Sequence, residues 1–283
     1  MKKIKIFGLV ILFNPQKCIM RNIHSYLNEL SHLYIIDNSP QINDFFFSRQ
    51  NDKITYIPNC KNYGIAKALN IGVHKCIEDG AEWALLMDQD SYFKDGSLDI
   101  LIDEITLNEK NKIGSISPFH HSKKNDFRYN DLLTKETSLT MTSGTLLNLK
   151  AFSEIGDFDE KLFIDHVDHE YCLRLKRNGY KVLECGKSIL IHELGEIRSY
   201  NIFNRKFYFI YHSPLRLYYY TRNGLYVSFK YIKDYPFFII KFSKDMFKEI
   251  IKTFLFRHEF LERIKMMFFG VKDFIFSNYG KKL

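Results

Sequence analysis

Four short apolar runs, each ending in polar residues, limit what this chain can become more than any other feature. They are Ile4 to Phe13, Leu33 to Ile36, Ile54 to Ile57 and Trp83 to Met87. Runs of this length, bounded by turn residues, suit buried strands. Between them lie helical stretches. Residues 17–30 set Ile19, Ile23, Tyr26, Leu27 and Leu30 at helical spacing, and residues 62–78 lead from a loop into a helix closed by Asp79-Gly80. Strand and helix in alternation predict an α/β fold, a mostly parallel twisted sheet with helices on both faces. Such sheets bind ligands at the carboxyl ends of their strands, where Asn14, Asp37, Asn62 and Asp88 all fall.

The fourth run ends in Asp88-Gln89-Asp90. Two acids at the end of a buried strand suit a hard cation, Mg²⁺ or Mn²⁺, that also binds a diphosphate. The plainer reading makes them loop acids capping the next helix. Asp37 could meet a nucleotide base or ribose, and Lys67 with the amides near Asn62 and Gly64 could meet phosphate at a helix start. Ordinary turn and cap chemistry is the alternative for each. The glycine patterns of dinucleotide-binding and P-loop proteins are absent.

The second half continues with a strand at Ile113 to Pro118 and a polar stretch, His120 to Thr137, that reads as a mobile surface loop. Residues 139–149 read as strands around Ser143-Gly144. A helix follows with Asp165 at its N-cap and Gly179 past its end. Its first turn holds a second acidic focus, Asp165 to Glu170. There a carboxylate would be either a helix-end residue or a general base, its charge favoured by the helix dipole. His166 and His169 are too few for a metal site by themselves. A last strand, 181–191, delivers His192, which is either structural or able to reach a metal from the opposite wall.

An apolar content of 46% over 283 residues suffices for one large domain and an appendage. Five scattered cysteines without a C-x-x-C pair argue against zinc and for reduced thiols in a cytosol. The basic and then apolar N-terminus imitates a signal peptide. It lacks a small-residue cleavage site, however, and reads as the first buried strand. No uninterrupted apolar window reaches membrane-spanning length.

In order along the chain, Asn62-x-Gly-Ile-Ala-Lys-Ala-Leu-Asn70, Leu86-Met-Asp-Gln-Asp-Ser91, Ser143-Gly144, Phe163-Ile-Asp-x-Val-Asp-x-Glu170 with Arg174, and His192-x-Leu-Gly195 resemble the inverting family 2 glycosyltransferases of GT-A fold. The Asp-Gln-Asp triplet, the Phe-Ile-Asp-x-Val-Asp run and Tyr220-Thr-Arg-Asn223 look like the bacterial rhamnosyltransferase group. The resemblance covers about residues 4–225 and implies roles position by position. Asp37 matches the acid at the nucleotide base, Asp88 the one at ribose and diphosphate, and Lys67 the basic nucleotide contact. Asp90 and His192 match the metal ligands, and Asp168, six residues before Arg174, matches the catalytic base. Asn14, Asn62 and Gly64 join the donor site. Ser143, Gly144, Asp165 and Arg222 are candidate acceptor or donor contacts.

The implied reaction takes L-rhamnose from dTDP-rhamnose to a glycan or lipid-linked acceptor with Mg²⁺ or Mn²⁺. The alternatives are a UDP-hexose donor or a non-catalytic sugar-nucleotide-binding scaffold. The expected catalytic domain is 1–200, followed by an aromatic and basic helical region, 201–283. Residues 230–283 hold twelve Lys/Arg against six Asp/Glu, most of the net charge of +8. Basic amphipathic helices there suit the anionic inner face of a cell membrane and a peripheral, cytoplasmic protein. Packing on the catalytic domain, or on a second subunit as a homodimer, is the alternative. No nucleic-acid recognition module is present.

Overall fold

The computed structural model describes residues 4–16, 19–43, 52–108, 111–121, 133–192, 197–202, 205–255 and 259–282. The chain forms two compact units. The first comprises residues up to Glu160 together with Asp168–Glu193, and the second comprises Lys161–Val167 and everything from Leu194 onward.

In chain order the first unit contains β1 (Ile6–Leu12), α1 (Ile19–Leu27), β2 (His32–Asp37), β3 (Ile54–Pro58), α2 (Ile65–Glu78), β4 (Trp83–Asp88), β5 (Ser91–Phe93), α3 (Ser97–Leu107), β6 (Ile113–His121), β7 (Thr134–Glu136), β8 (Thr145–Asn148), α4 (Leu149–Ile155), α5 (Val167–Arg177) and β9 (Lys181–His192). The strands form one sheet in the order β3-β2-β1-β4-β8-β6-β9-β5, with β7 also on β9. The half from β3 to β4 is parallel, as the alternating runs require. Beyond β4 the sheet is mixed: β8 runs antiparallel to both neighbours, while β6 and β9 are parallel. Every residue of β1 is buried, so the apolar run Ile6–Leu12 is a central strand.

Several local features depart from the sequence expectations. His120 and His121 belong to β6, and Thr134–Glu136 is a strand, so only the interior of the expected mobile loop lies outside the described residues. Residues after Asn148 turn into α4 instead of continuing as strand. The Asn148 carboxamide oxygen accepts from the amides of Lys150 and Ala151, a cap that starts the helix there. Asp165 is not the N-cap of α5, which begins at Val167 after two residues, Asp165 and His166, with φ of 63°.

Two motif residues prove architectural. Asn70, buried on α2, donates to the Phe158 carbonyl at 3.0 Å and accepts from its amide at 2.8 Å. Arg174 pairs with the wholly buried Glu170 at 3.0 Å and donates to the carbonyls of Ile155 and Asp157, fixing the turn before the second unit.

The second unit adds the hairpin β10 (Ile197–Ile202) and β11 (Arg205–Ile210), then α6 (Pro214–Lys230), α7 (Pro236–Leu255) and α8 (Phe260–Ile275). Strand β11 falls in the stretch read as helical. Its Phe-Tyr-Phe-Ile sequence suits a pleated strand. Helix α6 starts on a Ser213 cap with Pro214 at its first position, and α8 packs closely on it. A Cβ on Gly270 would come within 2.7 Å of the Tyr218 carbonyl.

Arg222 and Asn223 lie on the buried face of α6. The Arg222 guanidinium donates to the Tyr218 hydroxyl, to Asn223 Oδ1 and to the carbonyls of Asn278 and Lys161, and Asn223 donates to the Ile164 carbonyl at 2.7 Å. These bonds pin residues 161–164 to α6. Among the described residues, no helix is long and apolar enough to cross a membrane.

Candidate active site

Strand β4 delivers the acidic triplet beside two other strand ends. In the parallel register Asp88 lies opposite Ile11 of β1, and Leu12 lies opposite Asp37 of β2, so the two acids flank the end of β1. Gln89 belongs to the scaffold. Its carboxamide accepts from the Phe13 amide at 2.9 Å and donates to the Phe13 carbonyl, while Asn22 donates to the Gln89 carbonyl. Strand β5 then pairs antiparallel with the end of β9, setting Ser91 opposite His192.

The result is a cluster. Ligand atoms of Asp88, Asp90 and His192 all lie within 4.8 Å of one another. His192 Nδ1 is 3.6 Å from Asp90 Oδ1, and the Ser91 hydroxyl links them, 2.7 Å from the imidazole and 3.4 Å from the carboxylate. Two carboxylates and an imidazole at this spacing fit a divalent ion of the Mg²⁺/Mn²⁺ type. Because Ser91 orients two of the three ligands, Ser91→Ala should raise the metal concentration needed for half-maximal activity by about tenfold. A metal titration of the variant against wild type checks this.

Ser143 and Gly144 bond to the backbone at the end of β4, just ahead of the triplet. Ser143 is 1% exposed, and its hydroxyl accepts from the Asp88 amide at 3.2 Å. Gly144 donates to the Leu86 carbonyl with φ of 77°, and a Cβ there would come within 2.8 Å of Pro118. Both residues support the backbone under Asp88.

His120 is the residue that sequence reasoning missed. Its Nε2 lies 2.7 Å from the Ser143 carbonyl and must donate to it, and its ring meets His192 edge-on at 6.5 Å. Burial pushes the His120 imidazole down to about 4 from an ordinary 6.5, the Ser143 carbonyl and Asp168 opposing and His192 assisting. The unfolded chain protonates near 6.5, whereas the folded chain refuses the proton until about pH 4. The stability contribution is therefore complete above 6.5 and disappears as pH falls toward 4, a loss of about 3 kcal/mol. Urea unfolding at pH 7 and pH 4 should show a flatter pH dependence for His120→Gln than for wild type.

The other expected positions divide. Asp168 stands in the first turn of α5, at the positive end of the helix dipole. Its field also reaches His120, which ties it electrostatically to the cluster. Asp37 is 1% exposed and accepts from the Ser39 amide, the Asn43 carboxamide and the Tyr56 hydroxyl, three of roughly four acceptor positions on a carboxylate. Asn14 is exposed, with φ of 47°, and its amide donates to the Ser39 hydroxyl.

The Gly64 amide is not available for phosphate, because it donates to Asn62 Oδ1 at 2.9 Å. Lys67 pairs with Glu160 at 3.4 Å and lies over the Tyr63 ring. Asp165 lies in the second unit, where Arg216 grips both carboxylate oxygens at 3.0 Å. Arg222, also there and 1% exposed, is enclosed by its own partners. After His192, the Leu194-Gly195 part of the expected motif lies outside the described residues.

Comparison with known proteins decides what such a site is for. The family described as Glycosyl transferase family 2 matches residues 9–165. The chain belongs to that family. The match begins inside β1 and takes in β4 and its acidic triplet. Among curated relatives, dTDP-rhamnosyl transferase RfbF of Shigella flexneri is 30% identical over 238 residues, 77% of this chain and 78% of that protein. Among solved structures, GalNAc-T7 with UDP, GalNAc and Mn²⁺ aligns with a TM-score of 0.57 at 14% identity, over 67% of this chain and 43% of that one. Residues 1–349 of S. aureus TarS align at 0.54 and 14%, over 81% of this chain and 66% of that one. The chain thus spans less than half of the GalNAc-T7 structure. These likenesses establish the GT-A fold. As a family 2 glycosyltransferase the protein is an enzyme, and its Asp-Asp-His group could hold a divalent ion.

Proposed function

We propose that this glycosyltransferase moves L-rhamnose from dTDP-rhamnose to a hydroxyl of a bacterial cell-surface polysaccharide or its lipid-linked precursor, inverting the anomeric centre. The observation that carries the donor assignment is the likeness to dTDP-rhamnosyl transferase over 78% of that protein's length. Asp88, Asp90 and His192 would hold Mg²⁺ or Mn²⁺, which supplies positive charge to the departing diphosphate. Asp37 and Asn14, at the ends of β2 and β1, hold the nucleoside, and Lys67 exchanges Glu160 for phosphate when the donor arrives.

Asp168 removes the proton from the acceptor hydroxyl. That oxygen bonds to the anomeric carbon as the bond to the diphosphate oxygen breaks, and the nucleoside diphosphate leaves with the electron pair. A base that takes its proton late in the transition state needs position more than strength, so a carboxylate at a helix start suffices.

The test is a donor screen that follows nucleoside diphosphate release from dTDP-, UDP- and GDP-sugars with each ion. dTDP-rhamnose should turn over fastest, and chelation should stop it. Release from a UDP-hexose alone would replace the donor assignment, and turnover surviving full chelation would remove the metal.

A further inference from the structure

Helix α7 has a buried face, on which Glu249 and Thr253 sit among aromatic side chains, and an exposed apolar face opposed to it. At 100° per residue, Phe238, Phe242 and Thr253 fall within about 60° of one another and are buried. Ile240, Phe247, Ile251 and Phe254 fall within a similar arc on the opposite side. These four are 56%, 63%, 48% and 59% exposed. A helix that needs one apolar stripe for packing has been given a second one facing water.

The charges beside the second stripe share one sign. Lys241, Lys244 and Lys248 line its flank, and no exposed position of α7 carries an acid. The helix's two acids are turned inward. Asp245 is half-buried beside Lys248, and Glu249 is 4% exposed against Lys252 and Arg263. Helix α8 has a similar exposed stripe of Leu261, Phe268 and Ile275 with Lys265 and Lys272 along one side, and it also exposes one acid, Glu262.

We propose that the outward face of α7, seconded by that of α8, docks on an anionic lipid bilayer. The apolar stripe would enter the acyl boundary with the lysines among the headgroups, and the helix would lie in the interface without crossing it. Charge selects lipid over a second copy of the chain. Self-pairing through this stripe would bring in another row of lysines and no exposed acid from α7 to answer them, whereas anionic headgroups complement every one. The inference does not rest on the sugar donor or the metal, because lipid binding needs neither.

The experiment is flotation of the full chain with phosphatidylcholine vesicles, with and without phosphatidylglycerol. Wild type should float with the anionic vesicles, less so in high salt, and stay behind with phosphatidylcholine alone. Each lysine at an anionic surface contributes about fivefold, so Lys241→Ala/Lys244→Ala/Lys248→Ala should weaken partitioning by about 100-fold. Phe247→Ser/Phe254→Ser should lose it as well, with circular dichroism unchanged because both side chains are solvent-facing. Variants that float like wild type would overturn the proposal. So would a dimer, seen by sedimentation without vesicles, that Phe247→Ser/Phe254→Ser dissolves.

Discussion

Asp168→Asn should lower the turnover number by about three orders of magnitude while leaving the dissociation constants for donor nucleotide and metal unchanged. Asparagine matches aspartate in shape and can still accept from the His169 amide, as Oδ1 does at 2.8 Å, so the start of α5 should survive. What it cannot do is accept the acceptor hydroxyl's proton. The effect should therefore appear in turnover and spare the Michaelis constant for donor. Steady-state kinetics with calorimetric titration of the nucleoside diphosphate separates the two. Near wild-type turnover in the variant would move the base to another residue, and a matching loss of nucleotide affinity would make Asp168 a binding group.

Arg222→Met should destabilise the second unit by about 2 kcal/mol, because it leaves the buried Asn223 Oδ1 without its donor and removes the bonds to the Tyr218 hydroxyl and the Asn278 carbonyl. Methionine fills most of the space and removes the fork. Arg222→Lys should fare little better, since a point charge cannot reach several acceptors in one plane. Where the variant remains folded, donor affinity should equal wild type, because this side chain is enclosed by Tyr218, Tyr219 and Tyr279. A normal denaturant midpoint combined with a raised Michaelis constant would instead restore the substrate contact expected from sequence.

The difference between those two residues shows what the sequence could express. Asp88, Asp90 and His192 are legible because strand ends are legible. An apolar run that stops at an acid states both where the strand is and which way its end faces. The parallel half of the sheet follows from the same alternation. Ser143, Gly144 and Arg222 stand in motifs just as clear, yet they act through backbone amides and carbonyls. A motif records that a residue is required, and only coordinates distinguish touching substrate from holding up what does.

His120 escaped for another reason. Its role comes from a contact 23 residues away in the chain, with Ser143, and no local periodicity encodes that. The Asn148 cap and the β11 strand were likewise local choices that the surrounding apolar and aromatic pattern outweighed.

Residues 161–167 are grouped with the second unit, while Asp168 opens the return into the first. The chain therefore leaves the first unit, borrows its footing from α6 and re-enters that unit at the proposed base. Cutting the gene near residue 200 would not release a self-sufficient catalytic module, because it would discard the Arg222 and Asn223 bonds that hold residues 161–164. For the same reason, exchanging C-terminal regions between related enzymes should succeed only when the segment ahead of the base is exchanged with them. In this protein a loop and a helix that are distant in the gene are bonded to each other in the fold.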